Sequence, residues 1–153
     1  MPSSSTGKYH NKQSNGEGGL LRHSKAVVYF ASILCRAYGI EGKQKDIVTS
    51  ACILHDIVKY GLVMQKYTTK THDKEGADFI LNLGKDFKEL PYDDLLAICC
   101  GVAYHMGQWT THPKKKRFPE DYTNTEVIVH LADMCSAGKE VSLGFLEQNI
   151  MIG

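Results

Sequence analysis

The chain has 153 residues, enough for about one domain with a real core, and its formal charge is +1 with histidines neutral. A balance so near neutral supplies no global field to recruit nucleic acid or an anionic membrane surface. No apolar run approaches the roughly 18 residues of a membrane span, and the polar amino terminus does not read as a signal peptide, so a cytoplasmic protein without membrane attachment is expected.

Residues 1–18 come first and differ from the rest. Met1-Pro2-Ser3-Ser4-Ser5-Thr6-Gly7 and Asn15-Gly16-Glu17-Gly18-Gly19 have almost nothing to bury, so a disordered, mobile tail is expected ahead of a domain over 19–153. His10 falls in this tail and reads as inert. Helical periodicity then begins. Leu20, Ser24, Val27, Ala31, Leu34 and Tyr38 recur at three- and four-residue steps, with His23 at the edge of their face. Gly39 and Gly42 bracket the following turn. Ile47, Ala51, Leu54 and Val58 form a second stripe on a helix carrying His55 and Asp56, and Gly61 suits a left-handed cap after it.

Ala77, Ile80, Leu81 and Leu83 form a third stripe, with His72 at its start. Pro91 suits the beginning of a fourth helix, on which Leu95, Ile98, Val102 and His105 share a face. Thr123-Asn124-Thr125-Glu126 offers caps for a fifth, where Val127, Leu131 and Met134 accompany His130 and Asp133 one turn apart. There are no internal repeats. No alternating run is long enough for a sheet, although Met64–Thr69 and Trp109–Phe118 leave room for a short strand pair. The pattern predicts a single all-α domain. Five cysteines (Cys35, Cys52, Cys99, Cys100, Cys135) fall within helical patterns, without a Cys-x-x-Cys, and read as reduced core residues.

The run Ile53-Leu54-His55-Asp56-Ile57-Val58 carries the sharpest chemical signal. A carboxylate in an apolar stretch costs several kcal/mol unless something positive compensates. A divalent metal would do so, because imidazole nitrogen and carboxylate oxygen are ligands that Zn, Mn and Fe accept. Ionisable residues stand on or beside the apolar faces of all the predicted helices, so the remaining ligands are available. Asp73 and Glu75 read as first-turn helix acids, and His130 as a partner of the Asp133 region or a packed core histidine.

The order His23, His55-Asp56, His72, His105, Asp133 resembles the HD-domain superfamily of metal-dependent phosphohydrolases. The matching segments are Leu21-Arg22-His23-Ser24, Leu54-His55-Asp56-Ile57-Val58-Lys59, Thr71-His72-Asp73-Lys74-Glu75-Gly76-Ala77, Tyr104-His105-Met106-Gly107 and His130-Leu131-Ala132-Asp133-Met134. The resemblance implies a bundle of about five to seven helices that collects its ligands from several of them. It implies two divalent transition metals per chain, drawn from Mn, Fe, Zn, Ni or Co with Mg as a lesser alternative. Asp56 would bridge them, His23 and Asp133 would complete one site, and His72 and His105 the other. His55, Asp56 and Lys59 would be the catalytic residues, with Lys59 also contacting a phosphate. Two departures stand out. Val58 occupies a place where many dinuclear members have glycine, and Tyr104 precedes His105 where some have another histidine, which leaves the coordination number open.

Such a metal pair lowers the pKa of a water and clamps phosphate oxygens, so hydrolysis of a phosphoester or phosphodiester is implied. The segment after His105 is expected to overhang the site. Gln108 and Trp109, then Lys114, Lys115, Lys116 and Arg117 beside Phe118, suggest phosphate contacts and base stacking, pointing to a nucleotide or short nucleic acid. The same ligand order also resembles the di-iron, inositol oxygenase-like branch of the superfamily, acting on a small hydroxylated substrate. A non-catalytic binding or regulatory module is the second alternative. Oligomeric state is not encoded in any pattern found.

Overall fold

The computed structural model describes residues 1–4, 6, 8, 10–111, 119–139 and 143. Among the described residues there are five α-helices: α1 (Gly19–Ala37), α2 (Gly42–Leu54), α3 (His72–Gly84), α4 (Tyr92–Tyr104) and α5 (Asn124–Ala137). Short 3-10 turns cover Lys12–Ser14, Gly107–Trp109 and Pro119–Asp121. The all-helical, single-domain expectation holds, and no strand occurs among the described residues. The Met64–Thr69 stretch is irregular, and Trp109 closes a 3-10 turn instead of entering a strand.

Two helix pairs make the framework. α1 packs most extensively on α5, and α3 on α4, while α2 and α4 join the pairs across the core. Val27, Ala31 and Cys35 of α1 meet Val48, Ala51 and Cys52 of α2, Val102 of α4, and Ile128, Val129 and Ala132 of α5. These small and β-branched side chains exclude water completely at several positions, which is where hydrophobic burial stabilises most per atom. α5 starts with a full capping box: Thr123 Oγ1 accepts from the Glu126 amide, and the Glu126 carboxylate accepts from the Thr123 amide at 2.6 Å. Pro91 is the cap residue of α4, one position ahead of its first helical residue.

The buried faces differ in detail from the stripes read in sequence. Tyr38, Leu83 and Met134 are substantially exposed, and Cys135 is exposed as well. On α5 the buried face instead runs through Glu126, Ile128, Val129, His130, Ala132 and Ser136. Polar residues occupy it because their partners lie inside the fold. A larger correction concerns the His55-Asp56 doublet. α2 ends at Leu54, and residues 55–64 form successive turns, so the doublet lies beyond the helix. Gly61 is left-handed (φ 83°), as expected of a glycine there, but it shapes this turn segment and does not cap α2.

The described residues of the amino-terminal segment lie against the bundle. The Leu20 amide donates to Met1 O at 2.8 Å, and the Ser3 amide to Ser14 O at 2.9 Å. Asn11 Nδ2 reaches Ser136 O at the end of α5, at 2.8 Å, and Tyr60 Oη donates to Pro2 O at 2.7 Å. Ser3, Asn11 and Ser14 are buried.

Candidate metal centre

Helix ends build the site. The last carbonyls of a helix have no intrahelical partner. At the end of α2 the chain continues in right-handed conformation through His55, which turns its ring back so that Nδ1–H donates to Cys52 O at 2.7 Å. His105 repeats the device at the end of α4, donating from Nδ1 to Val102 O at 2.7 Å. His72, the first residue of α3, donates from Nδ1 to Thr69 O at 2.7 Å. His23, on the second turn of α1, has Nδ1 at 3.0 Å from Ser136 Oγ, and that hydroxyl donates onward to Asp133 O at 2.9 Å. The serine proton is thereby used, so His23 Nδ1 is the donor.

One consequence governs the centre. With every Nδ1 committed as a donor, all four Nε2 atoms present lone pairs, and they converge on Asp56. His23 and His55 Nε2 lie 3.6 and 3.4 Å from Oδ2, while His72 and His105 Nε2 lie 3.1 and 3.6 Å from Oδ1. Asp133 Oδ1 stands 3.0 Å from His23 Nε2 and 3.8 Å from His55 Nε2. All six sequence-predicted ligands therefore come together. Two groups of donors share Asp56: His23, His55 and Asp56 on one side, and Asp56, His72 and His105 on the other.

Such a cluster is short of positive charge. Asp56 Oδ1, Asp133 Oδ1 and His72 Nε2 are buried without a hydrogen bond among the described residues. His23 and His55 Nε2 approach to 3.2 Å, which two lone pairs cannot tolerate without a proton or a cation between them. Burial lowers His55, but the charge and hydrogen bond of Asp56, with Asp133, outweigh it and raise the imidazole above its ordinary value. Burial pushes His23 and His105 down and keeps them neutral. Burial also opposes ionisation of Asp56, yet the Lys59 ammonium and then His55 hold its carboxyl well below the usual range. Asp133 is depressed in the same way, with His23 as the chief opponent of its burial. Neutral imidazoles and ionised carboxylates are the donor set a divalent transition ion takes, so these residues fit one.

Lys59 is buried, with Nζ 2.5 Å from Asp56 Oδ2. Lys59 and Asp56 both belong to the turns after α2, and the ammonium touches the carboxylate directly. His130 departs from its expected partner. Its Nδ1 donates to His105 O at 2.6 Å, which ties it to the α4 ligand rather than to the Asp133 region. Gly107 makes room for it: φ is +52°, and a Cβ there would fall 2.5 Å from His130 Cε1. Asp73 is fully buried and accepts from the Lys74 amide, while Glu75 accepts from Thr71 Oγ1. Both belong to the start of α3, as expected of first-turn acids.

Trp109 is half exposed and stands 5.8 Å, centroid to centroid, from His130, with Gln108 exposed beside it. His112, Lys114, Lys115, Lys116, Arg117 and Phe118 lie outside the described residues. No cysteine joins the donor groups, and burial raises the thiols of Cys52 and Cys99, the latter to about 11. The residues that sequence reasoning missed are Ser136, which orients His23, and His10. The His10 ring meets the His23 ring edge-on at 4.6 Å, and it is pushed down to about 3 by burial, then by Lys59 and His23. Nothing in a serine near a helix end, or in a histidine inside a polar tail, marks it beforehand.

A helical bundle that closes four histidines and two aspartates on one another from the ends and faces of five segments defines a helical domain with donor groups that could hold metal ions. The HD domain family model matches residues 20–138, and the chain belongs to that family. Members of this family are commonly metal-dependent phosphohydrolases. No curated protein and no solved structure gave a significant match. No helix among the described residues is long and apolar enough to cross a membrane.

Proposed function

We propose that the chain is a metal-dependent phosphohydrolase acting on a phosphoester or phosphodiester of a nucleotide or short nucleic acid. One observation carries this reading: four histidines, each with Nδ1 already donated, turn Nε2 toward the two oxygens of a single buried carboxylate. His23, His55 and Asp133 with Asp56 would hold one divalent ion, and His72 and His105 with Asp56 a second. Bound there, divalent metals supply positive charge for phosphate oxygens and lower the pKa of water at the site.

The protein's own residues do the rest. The carbonyls of Cys52, Thr69 and Val102 and the Ser136 hydroxyl fix each imidazole's tautomer and direction, which raises ligand basicity and preorganises the site. Lys59 is a buried ammonium whose partner is Asp56. With that carboxylate engaged by metal, Lys59 requires another anionic partner, and a phosphoryl oxygen meets the need. Trp109 presents a half-exposed aromatic surface beyond His130, suited to stacking a base, with Gln108 available for polar contact. Lys114, Lys115, Lys116 and Arg117 follow within the same connection, and their role as phosphate-backbone contacts is part of the proposal.

The test is a turnover screen of the Mn-reconstituted chain over nucleotides, cyclic dinucleotides and single-stranded RNA and DNA. Release of phosphate or nucleotide is expected. About two irons per chain with O2 consumption and no hydrolysis would overturn the reading in favour of the di-iron alternative. Metal uptake with no turnover of either kind would identify a binding module.

A further inference from the structure

His10 stands beside the centre, yet the proposed ligand set does not use it. Its ring packs against His23, and its Nδ1 is buried with no hydrogen-bond partner among the described residues. Lys59, His23, Asp133 and Asp56 all lie within electrostatic reach of it. The segment that carries it is tied on both flanks. Asn11, the next residue, holds the end of α5 through Ser136 O, and the Asn11 side chain also accepts from the Ser14 amide. Pro2 O takes the hydroxyl of Tyr60, the residue after Lys59. These bonds carry the chain from the doublet's turn segment to the residue that orients His23.

Three roles could account for this histidine. A core histidine would have its nitrogens satisfied, because a buried unpaired polar atom is costly. His10 Nδ1 has no such partner among the described residues. A further ligand would stand among the donor atoms that close on Asp56, and His10 belongs to neither group of them. The remaining role is contact with a group that enters the site from outside. We propose that His10 is a substrate-binding residue, hydrogen-bonding a phosphoryl oxygen on the His23–Asp133 side of the centre. The assignment rests on the phosphohydrolase reading. It adds to it a residue from the amino-terminal segment, outside the part of the chain that the family model matches. Lys59 and His10 then act together, one contributing charge and the other a hydrogen bond of fixed direction.

The test uses the full chain, loaded with Mn, and orthophosphate as the probe in calorimetric titrations. His10→Phe keeps an aromatic ring against His23 and removes both nitrogens, and His10→Gln returns an amide. At the metal content of the parent, His10→Phe should weaken orthophosphate binding by about tenfold, the loss expected for one hydrogen bond, and His10→Gln should recover part of it. Lys8→Ala, in the same segment and exposed, should change nothing. Equal orthophosphate affinity in His10→Phe and the parent would overturn the assignment. So would loss of metal from His10→Phe, which would make His10 a support of the ligands. Turnover is read separately: a chain that binds orthophosphate through His10 yet hydrolyses no phosphoester overturns the hydrolase reading and leaves this assignment standing.

Discussion

The two oxygens of Asp56 face differently furnished halves of the molecule. Around Oδ2 stand His23 from α1, His55, the second carboxylate Asp133 from α5, and the Lys59 ammonium. Around Oδ1 stand His72 from the start of α3 and His105 from the end of α4. The helices that supply each half are also the ones that pack most extensively on each other, α1 with α5 and α3 with α4. Asp56 therefore sits at the seam between two helix pairs, one oxygen for each. This makes the turn after α2 the joint on which the whole centre depends, and it gives the Oδ2 half a second carboxylate and so the larger set of donor atoms for a cation.

The largest effect should come from removing the joint. Asp56→Asn keeps the size of the side chain and deletes the charge that both halves share, so metal retention at both and all turnover should be lost. Metal analysis and a hydrolysis assay read this directly, and full activity in the variant would refute the site. Variants of one half should separate the two. His72→Ala is expected to leave about one metal per chain at the Oδ2 half, whereas Asp133→Asn should weaken the first metal bound as well as the second. If the two variants lose metal alike, the halves are not distinct.

Smaller effects sharpen the same contrast. Ser136→Ala removes the acceptor of His23 Nδ1 together with the hydroxyl's own bond to Asp133 O, and an outer-shell change of this kind costs about ten- to hundredfold in metal affinity. Titration with Mn should show the loss confined to the tighter phase; a loss confined to the weaker phase would place His23 in the other half. Affinity should also depend on pH, and the sign follows from His55. Asp56 and Asp133 raise its folded value above the ordinary 6.5, so below that folded value metal binding must displace a proton from it. That proton stabilises the metal-free fold below the unfolded value, and its contribution is lost as pH rises through the folded one. Metal affinity should accordingly climb from pH 6 to pH 8, by no more than about tenfold per pH unit for one displaced proton. A flat profile would mean that His55 is neutral before metal arrives. The mildest change is neutralising Lys114, Lys115, Lys116 and Arg117, which should raise KM for a single-stranded substrate and flatten its salt dependence. Unchanged kinetics would remove that segment from the substrate's path.

The residues that converge on Asp56 were legible, because ionisable residues on apolar stripes have few cheap alternatives. His55-Asp56 stood out for that reason, and the resemblance of the order His23, His55-Asp56, His72, His105, Asp133 to the HD-domain pattern did the rest. Their aim was not legible. The acceptors that turn His55, His72 and His105 are backbone carbonyls of Cys52, Thr69 and Val102, and a carbonyl leaves no trace in residue type. The end of α2 at Leu54 was hidden because Val58 continues the apolar period past it, although the chain there has already turned. The faces of α3 and α5 were misread at Leu83 and Met134 for a related reason. Glu126 and His130 take buried positions that hydropathy assigns to apolar residues, paid for by Thr123 and His105 O. His10 and Ser136 were invisible because their significance comes entirely from where a polar segment lies against the bundle.

The most direct test of the two-half centre is anomalous diffraction from crystals of the chain reconstituted with Mn, collected on both sides of the Mn absorption edge. The account predicts two peaks flanking Asp56, one among His23, His55 and Asp133 and the other between His72 and His105. A single peak, or peaks that leave either oxygen of Asp56 without a metal, would contradict it.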